Sequence, residues 1–227
     1  MSENLSAHAL ARYIDHTLLK PDATAKDIEQ LCREAMEHHF WSVCVNGSRV
    51  AQAYALVENS GVKVACAVGF PLGAMSADAK RLEVEAAVDD GAQEIDVVLN
   101  IGRLKDGDHA YVLRELRDIV ESADERTVKV ILETCLLTRE EKIRACQLVL
   151  ESGAHFVKTS TGFSTAGATT HDVQLLRESV GEEFGVKASG GIRDVKVALG
   201  MIQAGATRLG TSSGVAIIRG LQGTADY

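Results

Sequence analysis

Short apolar runs recur along the chain, each followed by polar or glycine residues and then by a longer amphipathic stretch. Apolar runs bounded by turn residues read as buried strands, and stretches with a 3.6-residue period read as helices. Residues 3–12 predict a short helix and 13–19 a first strand, broken by Lys20-Pro21-Asp22. Thr24-Ala25-Lys26-Asp27 carries a capping-box pattern, so a helix is expected from there to residue 37. Further strands are predicted at 42–46, 63–69, 94–99, 127–133, 155–160, 186–189 and 207–210. Helices should follow them, to residue 59, from Ser76 to 89, over 108–122, from the capping box at Thr138, over 170–182, over 194–204, and briefly from Gly214.

The joints repeat as well. Gly61-Val62, Gly91-Ala92, Gly153-Ala154, Gly185-Val186 and Gly205-Ala206 each fall between a helix and the next strand. Glycine there accepts the left-handed conformation that ends a helix. Eight strand–helix units without a linker predict an α/β fold, a (β/α)8 TIM barrel with a short N-terminal helix, built as a single domain over residues 1–227. A doubly wound open sheet is the alternative, but no glycine-rich dinucleotide fingerprint follows the first strand.

Composition narrows the function classes. Hydrophobic residues make up 46% and charged residues 25%, which supplies a sizeable core and argues against disorder. The net charge is −8, with no basic stripe, so nucleic acid is not an expected partner. The five cysteines form no CxxC pair and the seven histidines no HExxH, so neither a disulfide framework nor a metal site is expected. No basic segment followed by an apolar one opens the sequence, and no apolar run reaches membrane-spanning length. The expected location is cytoplasmic, with no membrane partner.

Chemistry enters with the charged residues on strands. In a barrel the site lies at the C-terminal ends of the strands, and strand residues alternate inward and outward. Strand four carries Asp96, strand five Lys129 and Glu133 (which share parity), strand six Lys158 and strand seven Lys187. One lysine on a strand is usually solvated at an edge, but helix-covered strands of a closed barrel offer no such face. Two ammonium groups on adjacent strands repel, burial pushes the same way, and a neutral amine is a nucleophile suited to imine formation. The residues alone leave open which lysine is the nucleophile. Asp96 reads equally as a proton-transfer carboxylate or as a salt-bridge partner. Cys44, near the end of strand two, is within reach of reactive aldehydes but reads first as an inert core thiol.

Ser189-Gly190-Gly191-Ile192-Arg193 follows strand seven, and Gly210-Thr211-Ser212-Ser213-Gly214 follows strand eight. Glycines let backbone amides approach an anion, and barrel enzymes commonly hold phosphate in these two loops. Thr161-Gly162 can close a third side. Together these features describe an enzyme that binds a small phosphorylated carbonyl compound through a lysine imine and needs no cofactor.

Five segments then make the match specific: Ile14-Asp15-His16-Thr17-Leu18-Leu19-Lys20-Pro21, Glu94-Ile95-Asp96-Val97-Val98, Val130-Ile131-Leu132-Glu133-Thr134, Val157-Lys158-Thr159-Ser160-Thr161-Gly162-Phe163 and Lys187-Ala188-Ser189-Gly190-Gly191-Ile192-Arg193. The chain resembles the deoxyribose-phosphate aldolase family from end to end. The resemblance implies reversible cleavage of 2-deoxy-D-ribose 5-phosphate to D-glyceraldehyde 3-phosphate and acetaldehyde. It implies Lys158 as the Schiff-base nucleophile, Lys187 as the lysine that lowers its pKa, and Asp96 as the proton-relay carboxylate. It matches Gly162, Gly190, Gly191, Gly210, Ser212 and Ser213 to phosphate-binding loops.

Some members carry a basic residue where this chain has Phe163, which here would shift phosphate compensation onto amides and Arg193 or Lys20. Certain relatives have a terminal tyrosine that folds over the site, although a frayed tail is the ordinary reading of Tyr227. The implied partners are a small-molecule sugar phosphate and aldehydes, with a homodimer or higher homo-oligomer compatible with the sequence. The alternatives are another lysine-imine aldolase or a phosphate-binding barrel isomerase.

Overall fold

The computed structural model describes residues 5–221 and 223. Eight parallel strands close into a barrel in chain order. They are Ile14–Thr17 (β1), Ser42–Asn46 (β2), Lys63–Val68 (β3), Glu94–Val98 (β4), Thr127–Ile131 (β5), Phe156–Lys158 (β6), Gly185–Ser189 (β7) and Arg208–Thr211 (β8). The α-helices are Ala7–Ala11 (α1), Ala25–Glu37 (α2), Val50–Val57 (α3), Ala77–Asp89 (α4), Ile101–Lys105 (α5), His109–Ser122 (α6), Arg139–Ser152 (α7), Thr170–Val180 (α8), Val195–Gln203 (α9) and Gly214–Ile218 (α10). Pairing of β1 with β8 leaves no open edge, which decides for the barrel over the open sheet.

The helix starts follow their caps. Thr24 and Thr138 form capping boxes with Asp27 and Glu141, and Ser76 accepts a hydrogen bond from the amide of Ala79. Five strands, β1, β3, β4, β5 and β6, are shorter than the apolar runs predict, whereas β2 and β8 keep the predicted length and β7 gains a residue. β1 ends at Thr17 and β6 at Lys158, because the chain leaves the ladder where it must turn over the barrel mouth. α5 was not foreseen; Asn100 caps it immediately after β4. Among the described residues no helix is long and apolar enough to cross a membrane.

Four of the five joint glycines, at 61, 91, 153 and 205, adopt positive φ as expected. Gly185 does not. It begins β7, and a Cβ there would lie 2.3 Å from the Phe156 ring. Its small size, not its backbone freedom, is what the fold uses.

Between barrel and helices lies a continuous apolar layer, including Ile28, Val43, Val64, Ile95, Leu116, Val130, Val157, Leu176 and Leu209. One charged pair interrupts it. Lys80 of α4 is fully buried, donating to the Val98 carbonyl at 2.8 Å and pairing with Glu115 of α6 at 2.9 Å. It ties both helices to the end of β4, the strand that carries Asp96. Gly185→Ala should lower stability by about 1–3 kcal/mol through overpacking against Phe156, read from urea denaturation with an unchanged m-value.

Candidate active site

Register brings the inward residues into rows. Lys158, Lys187 and Arg208 are lateral partners on β6, β7 and β8, and Asp96 is the partner of Lys129 across β4 and β5. All five are buried, as are Asp15 on β1 and Glu94 on β4.

Six of these seven side chains form a closed circuit. Asp96 accepts from Lys129 at 2.6 Å through Oδ1 and from Lys187 at 2.7 Å through Oδ2. Lys187 also donates to Asp15 Oδ2. Asp15 Oδ1 accepts from Arg208 Nη1 at 3.0 Å, and the same nitrogen lies 3.1 Å from Glu94 Oε2. Glu94 Oε2 returns to Lys129 at 2.6 Å. Each of these cations thus joins two carboxylates around the ring, and Lys129 also lies 4.0 Å from Asp15 across it. Lys158 stands outside the circuit, donating to Asp96 Oδ2 at 2.8 Å. With the circuit fully ionised its charges cancel, so a protonated Lys158 would add a positive charge beyond those the circuit balances, with only Glu133, among the described residues, outside the circuit to oppose it.

The protonation behaviour follows. Burial alone would raise the pKa of Asp96, but Lys129, Lys158 and Lys187 outweigh it and hold the carboxyl well below the usual range. Asp15 and Glu94 are likewise held down, against burial, by Lys187 and Lys129 respectively, with further help from Arg208. Lys187 is pushed upward because Asp15 and Asp96 overcome its desolvation. Lys158 moves the other way: burial lowers it, Asp96 opposes, and the Lys187 charge lowers it further.

Three of these partners, Asp15, Glu94 and Arg208, escaped the sequence reading. Arg208 opens its strand, where a charge looks solvated, and Asp15 lies in a polar motif. Their closeness arises only when β1 meets β8, and 193 residues separate them. Glu133 needs correction. It does not continue β5 inward in parity with Lys129 but turns out of the strand at φ 55°. There its buried carboxylate accepts from the hydroxyl of Thr161 and, at 3.3 Å, from the Thr161 amide. It anchors the loop after β6. Burial raises its pKa despite these bonds.

The glycine-rich loops converge at one side of the mouth. Gly162, Gly190 and Gly191 all have positive φ. A Cβ on Gly190 would lie 2.9 Å from the Cα of Gly167 and 3.5 Å from that of Gly162, so the two loops pack backbone to backbone. Thr211 joins the other pair, its hydroxyl donating to Ile192 O at 2.7 Å and accepting from the Ser213 amide at 2.9 Å. Among the described residues the buried Ser213 Oγ has no hydrogen-bond partner, and Gly223 packs on it: a Cβ there would lie 2.2 Å from that oxygen. Ser212 is half-buried and lines a cavity of about 400 Å³ with His16 and Lys20. Gly210 is placed differently, inside β8, where a Cβ would come within 3.1 Å of Lys187 Cε. It makes room for that lysine.

Beside the charges lies a small dry patch of Leu19, Cys44, Ala65 and Ala67, with Phe70 packed on it. Burial and nearby Asp96 push the Cys44 thiol up, which keeps it protonated and unreactive. Phe163, partly exposed, meets Phe70 edge to face with centroids 5.1 Å apart. Gly223 donates to Arg193 O at 2.8 Å, so the chain's return passes the loop after β7; Tyr227 lies outside the described residues.

A closed barrel with a buried amine and glycine-rich turns at one side of its mouth defines a barrel enzyme acting on small anionic compounds. The DeoC/LacD family aldolase model matches residues 9–220, and the chain belongs to this aldolase family. It is 59% identical over 210 residues to the deoxyribose-phosphate aldolase of Alkaliphilus oremlandii, covering 92% of this chain and 95% of that one. It is 57% identical over 211 residues to that of Bdellovibrio bacteriovorus, covering 93% and 96%. The tetrameric deoxyribose phosphate aldolase of Aeropyrum pernix superposes with a TM-score of 0.89 at 36% identity, covering 94% of this chain and 91% of that one.

The circuit predicts a pH window for stability. The depressed carboxylates Asp15, Glu94 and Asp96 contribute stability that is present above their unfolded pKa of about 4 and lost as pH falls further. Lys187, raised, contributes below its unfolded value of about 10.4 and ceases to do so only as pH climbs through its higher folded value. Melting temperature should therefore hold from about pH 5 to 9 and drop steeply below pH 4. A Tm that stays level down to pH 3 contradicts the ionised circuit.

Proposed function

We infer that this chain is a class I aldolase reversibly cleaving 2-deoxy-D-ribose 5-phosphate to D-glyceraldehyde 3-phosphate and acetaldehyde, through a Schiff base on Lys158. One observation carries the reading: Lys158 is the extra cation on a circuit already neutral, and of the three lysines inside the barrel it is the one pushed toward losing its proton. The relatives' names supply the substrate.

In this reading the phosphate enters the loops at Gly162, Gly190–Gly191 and Ser212–Ser213. Arg193 and Lys20, both exposed at the mouth, add positive charge. Neutral Lys158 attacks the aldehyde carbon of the open-chain sugar. The carbinolamine loses water to give an iminium ion, which withdraws the electrons of the C2–C3 bond. As that bond breaks, the C3 hydroxyl proton leaves, and glyceraldehyde 3-phosphate departs. The resulting enamine takes a proton at C2, and hydrolysis returns acetaldehyde and free Lys158.

Asp96 is held too strongly ionised to store that proton. Its role is to orient Lys158, Lys187 and the water that carries the proton from the C3 oxygen toward the enamine carbon. The dry patch around Cys44 and Ala67 suits the methyl end of the two-carbon fragment.

Residues 1–227 are read as one barrel domain. The buried, unbridged Cys32, Cys44, Cys66 and Cys146 support a reducing compartment, hence the cytoplasm. The tetrameric Aeropyrum relative supports a homo-oligomer of two or more copies.

Borohydride added with acetaldehyde should leave a reduced two-carbon adduct on Lys158 alone, located by peptide mass spectrometry. A label on Lys187, or none, contradicts the reading; pyruvate or dihydroxyacetone trapping in place of acetaldehyde would point to a different lysine-imine aldolase. Lys187→Leu should move the pH–rate profile upward by about one unit or more, because the cation nearest to Lys158 is lost while Asp96 remains.

A further inference from the structure

We propose that Arg208 and Glu94, which lie on the far side of the circuit from Lys158, are positioning residues for the imine chemistry: they complete the neutral circuit and so fix Lys158 as the group that gives up a proton. The inference rests on the Lys158 reading above.

Their placement argues against a purely structural role. Arg208 stacks on Trp41 with 4.3 Å to the ring centroid and lies 5.4 Å from the centre of Phe156. Trp41 donates to Glu94 Oε1 at 2.8 Å. The pair is held rigidly, and Arg208 is 6% and Glu94 1% exposed. A hydrophobic pair of similar volume would serve packing as well or better, since buried ion pairs seldom stabilise a fold over apolar replacements. A charge kept in such a place must affect other charges.

The coupling runs along two routes. Arg208 holds Asp15, which holds Lys187, which competes with Lys158 for Asp96 Oδ2. Glu94 holds Lys129, which occupies Asp96 Oδ1. Without Arg208, Asp15 and Glu94 keep partners in Lys187 and Lys129, and Glu94 has the more distant Lys63 at 3.9 Å. They therefore stay ionised near neutral pH, and the circuit carries net negative charge. Lys158 is then the place where a compensating proton is taken up. Without the Glu94 charge the circuit is net positive, and Lys158 sheds its proton more easily. The groups facing Lys158 are Asp96 on β4, Lys187 on β7, Cys44 on β2 and Glu133 after β5, with Asp15 and Lys129 one step behind. None changes in these variants.

The test is the pH dependence of borohydride trapping at Lys158 with acetaldehyde, together with the pH–rate profile. Arg208→Met keeps the stacking stem and should shift both midpoints up by about one pH unit. Glu94→Gln keeps the volume and the Trp41 hydrogen bond and should shift them down. Arg208→Lys should lie near wild type. The double variant R208M/E94Q, the most disrupted in structure, should return toward the wild-type midpoint because the circuit is neutral again. A double variant as displaced as R208M, or an R208M profile that coincides with wild type, overturns the inference. Should R208M not fold, E94Q decides alone, since a midpoint that stays or rises overturns it as well. Absence of any adduct on wild-type Lys158 strikes instead at the function; normal trapping with unmoved midpoints strikes only here.

Discussion

Everything at the mouth of this barrel depends on charge cancellation inside it. Burying seven ionisable side chains in one layer carries a large desolvation penalty, and the attraction between neighbours offsets it only if geometry and signs are nearly perfect. The circuit meets that condition by alternation: Asp96, Lys129, Glu94, Arg208, Asp15 and Lys187 each touch only opposite charge along the ring. The price is imposed collectively, so no member can be neutralised without disturbing the next. In the proposed reading Lys158 takes its reactivity from that arrangement. It needs no special base beside it, because its surroundings already disfavour its proton.

The backbone serves the same end. Gly210 lacks the methyl that would meet Lys187, and the Lys80–Glu115 pair secures the end of the strand that presents Asp96. The loop side of the mouth is built by other means: backbones in close contact at Gly162, Gly167 and Gly190, and the Thr211 hydroxyl linking two turns. One end therefore offers compensated charge and the other offers backbone donors. A sugar phosphate with an aldehyde at its far end suits both.

Much of this was legible in the chain. Alternation of apolar runs with capped helices fixed the strand count, since Thr24 with Asp27 and Thr138 with Glu141 announce where helices begin. Lys158, Lys187 and Asp96 stood out because a charge within an apolar run has no solvated face in a covered strand. Arg208 and Asp15 did not, because their partnership is created by closure of the barrel between its first and last strands. Gly210 read as a loop glycine because sequence does not reveal which neighbour would occupy its side-chain space. Glu133 misled for a local reason: a strand pattern carries parity only while the backbone stays extended, and the chain bends at that residue.

The contact between Phe70 and Phe163 carries a wider implication. These rings belong to the loops after β3 and β6, whereas the charge circuit belongs wholly to the strands. Reactivity is thus encoded in the part of the molecule least free to vary, and the shape of the entrance in the part most free to do so. A change of ring at this contact alters the entrance while leaving every member of the circuit in place.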